Sequence, residues 1–319
     1  MSLPRIIFMG TAELACASLE ALTSERTFEV AAVVTQPDRP KGRDLKLQPS
    51  PVKQLALSKG LPVLQPERAR NEAFLQELRS YRPDLIVVAA YGQILPPALL
   101  EMPRFGCVNV HTSLLPKYRG AAPIQWAILN DEAETGVTIM KMDPGLDTGD
   151  ILTQTATPIG PEDNAATLHD RLAKIGAELL IRTLPEYVGG KIAPQPQPTE
   201  GASYARKITK EDGALDWRQP ARVLWNGIRA FTPWPGAFTF QPATPKPRLL
   251  KISEAKVDED QSGSPGEILS ADKNGIVVAC ANQALRILSL QREGGRRLSA
   301  QEFLAGNPLK AGDRLGQQS

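Results

Sequence analysis

The chain has 319 residues, 42% of them hydrophobic and 23% charged, which is enough for about two ordinary domains with cores of their own. No apolar run reaches the ~18 residues of a membrane helix, and the start MSLPRIIFMG has neither a long apolar stretch nor a cleavage site. Three scattered cysteines, Cys16, Cys107 and Cys280, make no disulfide framework and no CxxC metal pair, so a cytoplasmic protein without a membrane partner is expected.

The net charge of +2 identifies no partner, but its distribution is uneven. Residues 206–319 hold 17 of the 37 Lys+Arg and 12 of the 35 Asp+Glu, leaving 20 basic and 23 acidic residues in 1–205. A basic C-terminal part hints at an anionic macromolecule there, although drift in surface charge produces the same count.

In chain order, RIIFMG (5–10) reads as a strand ending in Gly, and ELACASLEAL (13–22) as a helix. FEVAAVVT (28–35) is the next strand. EAFLQELRSY (72–81) has helical spacing, and PDLIVVAA (83–90) and FGCVNVH (105–111) are buried strands. APIQWAILN (122–130) reads as helix, TGVTIMKMD (135–143) as strand and 166–190 as helix with a Gly pair at its end. Apolar strands alternating with helices predict an α/β domain over 1–190 with a doubly wound, mainly parallel sheet. KIAPQPQPTEG (191–201) has prolines at every second position and predicts a stiff, extended linker over 191–207. Beyond it, VLWNGIRAF reads as helix. GAFTF, RLLKISEAKV, GEILS, GIVVAC and ALRILSLQ read as short strands between turns, which predicts a small β-barrel or sandwich over 208–319.

Ligands of open α/β sheets sit beyond the carboxyl ends of the strands. Asn109 and His111 lie at such an end, two residues apart and so on one face. An amide donor beside an imidazole can hold a developing oxyanion and manage a proton. A satisfied buried polar pair is the plainer explanation of the same pattern. DPGLDTGD (143–150) follows the strand TGVTIMKM and would reach the same edge if the two strands ran parallel. Asp147 is its candidate partner for His111, against the alternative of an acidic turn. The loop lacks calcium-loop spacing and no second His is near, so no metal is expected. His169 sits on an amphipathic helix among charges and reads as an ordinary helix residue. Gly10 in FMGTAEL is explained equally by an anion-binding helix start and by packing. The Pro-rich stretch 36–53 carries five basic residues, Arg39, Lys41, Arg43, Lys46 and Lys53, against Asp38 and Asp44. It reads as a long loop with little secondary structure, either able to meet phosphates or simply solvated.

Together the segments FMGT, QPDRPKGR, AYGQILP, NVHTSLLPKYRGAAPIQWAI and MDPGLDTGD, followed by RAFTPWPGAF, resemble the methionyl-tRNA formyltransferase family across nearly the whole chain. The departures are Ala12, where members often have Pro after GT, and Thr112, where many have Ala or Pro after the His. The resemblance implies a formyltransferase domain, a linker and a C-terminal barrel of the OB type. It implies formyl transfer from 10-formyltetrahydrofolate, as co-substrate, to the amino group of methionyl initiator tRNA, in support of translation initiation. The same chemistry on a small amine, a nucleotide or an amino sugar, is the alternative, and no stable protein partner is implied. It assigns catalysis to Asn109, His111 and Asp147, folate binding to Ser113, Leu114, Leu115 and Pro116, and tRNA contacts to Arg43, Lys41 and Lys207.

Overall fold

The computed structural model describes residues 3–41, 46–243 and 246–316. The chain forms two compact units: Met1–Pro123, Glu134–Pro158 and His169–Ala205 make the first, and Ile124–Ala133, Ile159–Leu168 and Arg206–Ser319 the second.

In the first unit, β1 (Arg5–Gly10) leads through α1 (Leu14–Ser24) to β2 (Glu29–Val34). A hairpin of β3 (Arg39–Lys41) and β4 (Lys46–Gln48) precedes α2 (Pro51–Ser58), β5 (Val63–Leu64), α3 (Glu72–Ser80) and β6 (Leu85–Ala89). α4 (Pro97–Leu100), β7 (Cys107–His111), β8 (Arg119–Gly120), α5 (Pro123–Leu129), β9 (Glu134–Lys141), β10 (Ile151–Pro158), α6 (Ala165–Val188) and β11 (Tyr204–Ala205) follow, with residues 124–129 of α5 and 165–168 of α6 belonging to the second unit. Seven strands form the main sheet in the order β10-β9-β7-β6-β1-β2-β5. The five strands from β7 to β5 are parallel, so the sheet is mainly parallel as expected. Strand order reverses between β1 and β6. Helix α1 packs on β1, β2 and β6. An apolar cluster joins Ile7, Met9, Val34, Ile86 and Val88 of the sheet to Phe74, Leu75 and Leu78 of α3 and Leu99 of α4. Burial between helices is why β1 reads as a continuous apolar run: Ile6, Ile7, Phe8 and Met9 are all fully buried.

Three details differ from the sequence reading. The stretch 36–53 is not an irregular loop, because β3 and β4 pair antiparallel, with Arg39 opposite Gln48, and Ser50 caps α2 by accepting from the Lys53 amide. Lys53 also donates to Asp38 at 2.7 Å, and this bond holds the Asp38 carboxyl below its ordinary range. Strand β10 is absent from the reading, because its burial alternates along a Thr-rich edge. Finally, β9 runs antiparallel to β7, with Asn109 opposite Met140 and His111 opposite Thr138. Gly10 is explained by packing: a Cβ there would lie 2.8 Å from the Phe8 ring and 2.9 Å from Ala15 Cβ.

In the second unit, α7 (Ala221–Ala230) precedes β12 (Ala237–Gln241), β13 (Arg248–Asp258), β14 (Ile268–Asp272), β15 (Gly275–Ala279), β16 (Ala284–Arg292), β17 (Arg297–Ser299) and α8 (Ala300–Gly306). The antiparallel sheet runs β12-β13-β16-β15-β14, with β17 against β16. Its two edges meet through the tail: Gly316 and Phe240 exchange both backbone hydrogen bonds at 2.9 Å, while Leu315 donates to Gly266 and Ile268 to Asp313 at 2.8 Å. The tail thereby closes the sheet into the expected barrel, and closure removes the exposed edges of β12 and β14. Leu224 and Ile228 of α7, Phe303 of α8 and Leu315 fill the core with Leu250, Ile276 and Ile287. Residues 124–133 and 159–168 join this unit through side chains. Arg222 pairs with Asp131 at 2.8 Å, Arg229 donates to the carbonyls of Gly160 and Asp163, and the Trp126 indole donates to Arg206 O. The Arg206 guanidinium in turn holds the Asp212 carboxyl down to about 2.

Leu315, 5% exposed, sits on the closing segment. Leu315→Ala is expected to cost ~2–4 kcal/mol, measured as a lower urea midpoint for the unfolding of the second unit; an unchanged midpoint contradicts the closing role.

Candidate active site

The candidate residues gather at the carboxyl end of β7. Side chains 107, 109 and 111 share one face of the strand, and along that face the surroundings change from core to site. Cys107 is fully buried against Leu99 and Leu100, and burial pushes its thiol up to about 12. Asn109 and His111, 9% and 5% exposed, come next on that face. On the other face, Gly176 of α6 lies against Val110. At the strand entrance, Tyr187 Oη donates to the Phe105 carbonyl at 2.8 Å, with the two rings edge to face. Helix α6 thus supports β7 from behind and fixes where the two polar side chains project.

Asp147 joins them by a route other than the one expected. Because β9 is antiparallel to β7, the 143–150 loop starts beside Cys107, where Met142 N donates to Cys107 O. It then folds back along β7. Asp147 Oδ2 accepts from the Gly120 amide at 2.8 Å, Oδ1 accepts from Asn109 Nδ2 at 3.4 Å, and Oδ2 lies 3.7 Å from His111 Nδ1. Asn109, His111 and Asp147 therefore form one cluster. The other acids of the loop act elsewhere. Asp143 accepts from Thr148 Oγ1 and the Gly145 amide within the loop, and Asp150 receives the Lys141 amide on its backbone carbonyl.

The fold-back requires special backbone. Asp147 has φ +52° and Tyr118 φ +60°, a region costly for residues with side chains and concentrated at functional sites. A Cβ on Gly149 would lie 1.9 Å from the Lys141 carbonyl oxygen, so only glycine passes there. Gly120, at φ +114°, likewise has no room for a Cβ beside Ala205 O.

His111 Nε2 lies 3.0 Å from the Tyr118 carbonyl. A carbonyl only accepts, so Nε2 carries a hydrogen and the tautomer is fixed. Nδ1 is too far from Asp147 for a direct hydrogen bond. It is the ring nitrogen free to meet a reacting group.

Ser113, Leu114, Leu115 and Pro116 form the turn after β7, with a cis Leu115–Pro116 bond. Ser113 is fully buried, with Oγ donating to Lys117 O at 2.6 Å. Leu115 N donates to Thr138 Oγ1, Thr138 Oγ1 donates to Ser113 O, and Gln154 donates to Leu115 O. The polar groups of the turn are thus largely spent on its own shape, while Leu114 and Pro116 keep partial exposure. Of the other candidates, Lys41 lies on β3, Arg43 lies outside the described residues, and Lys207 is exposed in the second unit. His169 pairs with its neighbour Asp170 on α6.

Sequence reasoning missed Gln197. Its Nε2 donates to the carbonyls of Asp147 and Gly149 at 2.8 and 2.7 Å, and its Oε1 accepts from Arg119 Nε and Nη2 at 3.1 and 2.7 Å. The one available signal was the Pro-Gln alternation itself, which places Gln195 and Gln197 on one side of an extended chain. Among the described residues, no group of three or more His, Cys, Asp or Glu is placed to hold a metal, and no helix is long and apolar enough to cross a membrane.

Residues 4–184 match the family described as formyl transferase, and residues 207–308 match its C-terminal domain. A methionyl-tRNA formyltransferase of Citrifermentans bemidjiense is 51% identical over 98% of this chain and 97% of its own length. The one of Myxococcus xanthus is 51% identical over 98% of both. The chain belongs to the methionyl-tRNA formyltransferase family. Among solved structures, an N-formyltransferase from Helicobacter canadensis, in complex with folinic acid and dTDP-3-aminofucose, is similar at TM-score 0.66 and 20% identity. That similarity spans 90% of this chain and 99% of the other. HypX from Aquifex aeolicus is similar at TM-score 0.63 and 20% identity over 96% of this chain and 48% of its own. At such identities the likeness concerns the fold.

For a methionyl-tRNA formyltransferase with this loop, Gly149→Ala is expected to displace the acid and lower formyl-transfer kcat by ~10-fold or more. Turnover kept within two-fold would show that the loop tolerates the added methyl and that its path does not set the acid's position.

Proposed function

We propose that this chain transfers the formyl group of 10-formyltetrahydrofolate to the amino group of methionine carried on initiator tRNA, in the cytoplasm, with Asn109, His111 and Asp147 at the reacting atoms. The observation that carries the reading is the meeting of an amide, an imidazole and a carboxylate at the end of β7 in a chain of this family.

The donor set suits the chemistry. Formyl-folate supplies an activated formyl group; as the amine bonds to the formyl carbon and the C–N10 bond breaks, the step needs donors for the formyl oxygen, an acceptor for the amine's proton and the return of a proton to N10 of the departing tetrahydrofolate. Asn109 Nδ2 has one weak contact to Asp147 at 3.4 Å and a second hydrogen to give. His111 Nδ1, when protonated, is the other donor. Each such donor, aimed where charge develops, is worth ~3 kcal/mol of barrier. Asp147 Oδ2 is engaged by Gly120, which leaves Oδ1 better placed to take the proton, directly or through water. With Nε2 held by Tyr118, His111 can exchange a proton only at Nδ1.

We assign the Ser113–Pro116 turn to the folate. Its apolar faces, Leu114 and Pro116, suit a flat aromatic ring, and Ser113 contributes through the backbone because its hydroxyl is bound to Lys117. Lys41 of β3, Arg43, and the basic stretch 206–319, with Lys207, are assigned to tRNA. A small amine requires none of them. The functional division is a catalytic part at 1–190, a connecting part at 191–207 and a tRNA-binding part at 208–319.

Incubation with methionyl-tRNA and labelled formyl-folate is expected to place label on the tRNA, with no transfer to a nucleotide-linked amino sugar. The opposite pattern would sink the proposal. His111→Ala and Asp147→Asn are each expected to lower turnover by ~100-fold or more, and retained turnover in either removes that residue from the mechanism. Arg43→Ala is expected to raise the KM for tRNA and to flatten its dependence on salt while sparing kcat; tRNA kinetics that do not change exclude the contact.

A further inference from the structure

The stretch that leads out of α6 does more than connect. Its backbone is laid into the first unit, with Gln195 and Ile151 exchanging hydrogen bonds at 2.8 and 2.9 Å. Further on, Ser203 Oγ accepts from Tyr118 N at 2.9 Å, Ser203 O accepts from Arg119 N at 2.9 Å, and β11 pairs in parallel with β8. Tyr118 supplies the carbonyl that holds His111, and Gly120 supplies the amide that holds Asp147. The segment therefore grips the groups that grip the candidate catalytic residues.

Gln197 is the centre of this arrangement. An Arg guanidinium only donates, so the two bonds from Arg119 fix which end of the Gln197 amide is oxygen. The opposite end must then be the NH2, and its two hydrogens meet two carbonyls, Asp147 O and Gly149 O. Those carbonyls flank the bend in which Asp147 adopts φ +52° and Gly149 passes against Lys141. Among the described residues, Gln197 is the side chain that bonds the main chain of the acid itself. We infer that Gln197, oriented by Arg119, is a positioning residue for formyl transfer, and that it sets the carboxylate of Asp147 against Asn109 and His111 by clamping the loop backbone. The inference rests on the catalytic reading of Asp147.

Steady-state formyl transfer with the full chain tests this. Gln197→Ala is expected to lower kcat by ~10-fold or more, because a displacement of about 1 Å at a reacting group has that scale of effect. The KM for both substrates should stay within about two-fold. Gln197→Glu is expected to lose as much as Gln197→Ala. Glutamate has the same size and can still pair with Arg119, but it offers no hydrogens to the two carbonyls. Arg119→Ala should cost less, and should add little in the Gln197→Ala background. A residue serving only stability would instead lower the thermal midpoint and leave kcat of the folded fraction unchanged. Turnover of folded Gln197→Glu within three-fold of the parent protein overturns the inference, as does a rise in KM with kcat intact. If Gln197→Ala does not fold, the near-isosteric Gln197→Glu decides. Asp147→Asn is assayed alongside. If it loses turnover while the Gln197 variants keep theirs, the positioning role alone falls; if it keeps turnover, the catalytic assignment of Asp147 falls and takes the positioning role with it.

Discussion

One carboxylate gathers the parts of the first unit that matter for chemistry. Asp147 accepts a backbone hydrogen bond from Gly120 of β8, takes a longer one from Asn109 and faces His111. These contacts come from two strands, β7 and β8, and each limits the others. Gly120 fixes Oδ2, the oxygen nearer the imidazole, which leaves Oδ1 to the Asn109 amide. The acid is only 14% exposed in its side chain, and a carboxylate so enclosed is held by hydrogen bonds rather than by water. Much else in this unit can be understood as what allows that acid to be there: the left-handed backbone at Asp147, the glycine at 149 and the bonding of the loop to Gln197.

The sheet provides the fixed frame. Strand β7 is hydrogen-bonded on both sides, to β6 and to β9, and covered on one face by α6. Its polar positions begin where the apolar cluster around Leu99 ends. The second unit solves a separate problem, that of sheet edges, by ring closure. Its core and its closing segment share Leu315, so the residue that seals the hydrogen-bond ring also fills the interior.

Much of this was legible in the residues. The runs around Ile7, Val33 and Val87 are apolar without alternation because helices cover both faces, and their shortness and β-branched residues set them apart from buried helices. Asn109 and His111 stood out as polar residues two apart at the end of a buried strand, a pattern that a satisfied buried pair explains as well, and the family resemblance is what marked them as catalytic. Asp147 was reached with a parallel strand in mind, whereas β9 is antiparallel. Periodicity reports that a strand exists and which face is buried; it carries no direction. Strand β10 escaped because threonines on a half-exposed edge look like loop, and the β3–β4 hairpin escaped because prolines and charges dominate it. The bonds of Gln197 were invisible for a different reason. They join main-chain carbonyls to a side chain about fifty positions away, and main-chain groups are the same whatever the sequence. Proline alternation suggested an extended chain, which it is, but not what the glutamines between the prolines would reach.

The closing run of the barrel has a consequence for the order in which the protein is made. Phe240 has to wait for Gly316, and Gly266 for Leu315, before either edge is satisfied. Until those residues are added, β14 and the end of β12 beyond the Leu215–Phe238 bond keep unpaired backbone groups on which another strand can pair. A contact so distant in sequence forms slowly, because a long loop must be ordered first. Completion of the barrel thus falls to a few residues near Leu315, whose arrival turns an open sheet into a sealed ring.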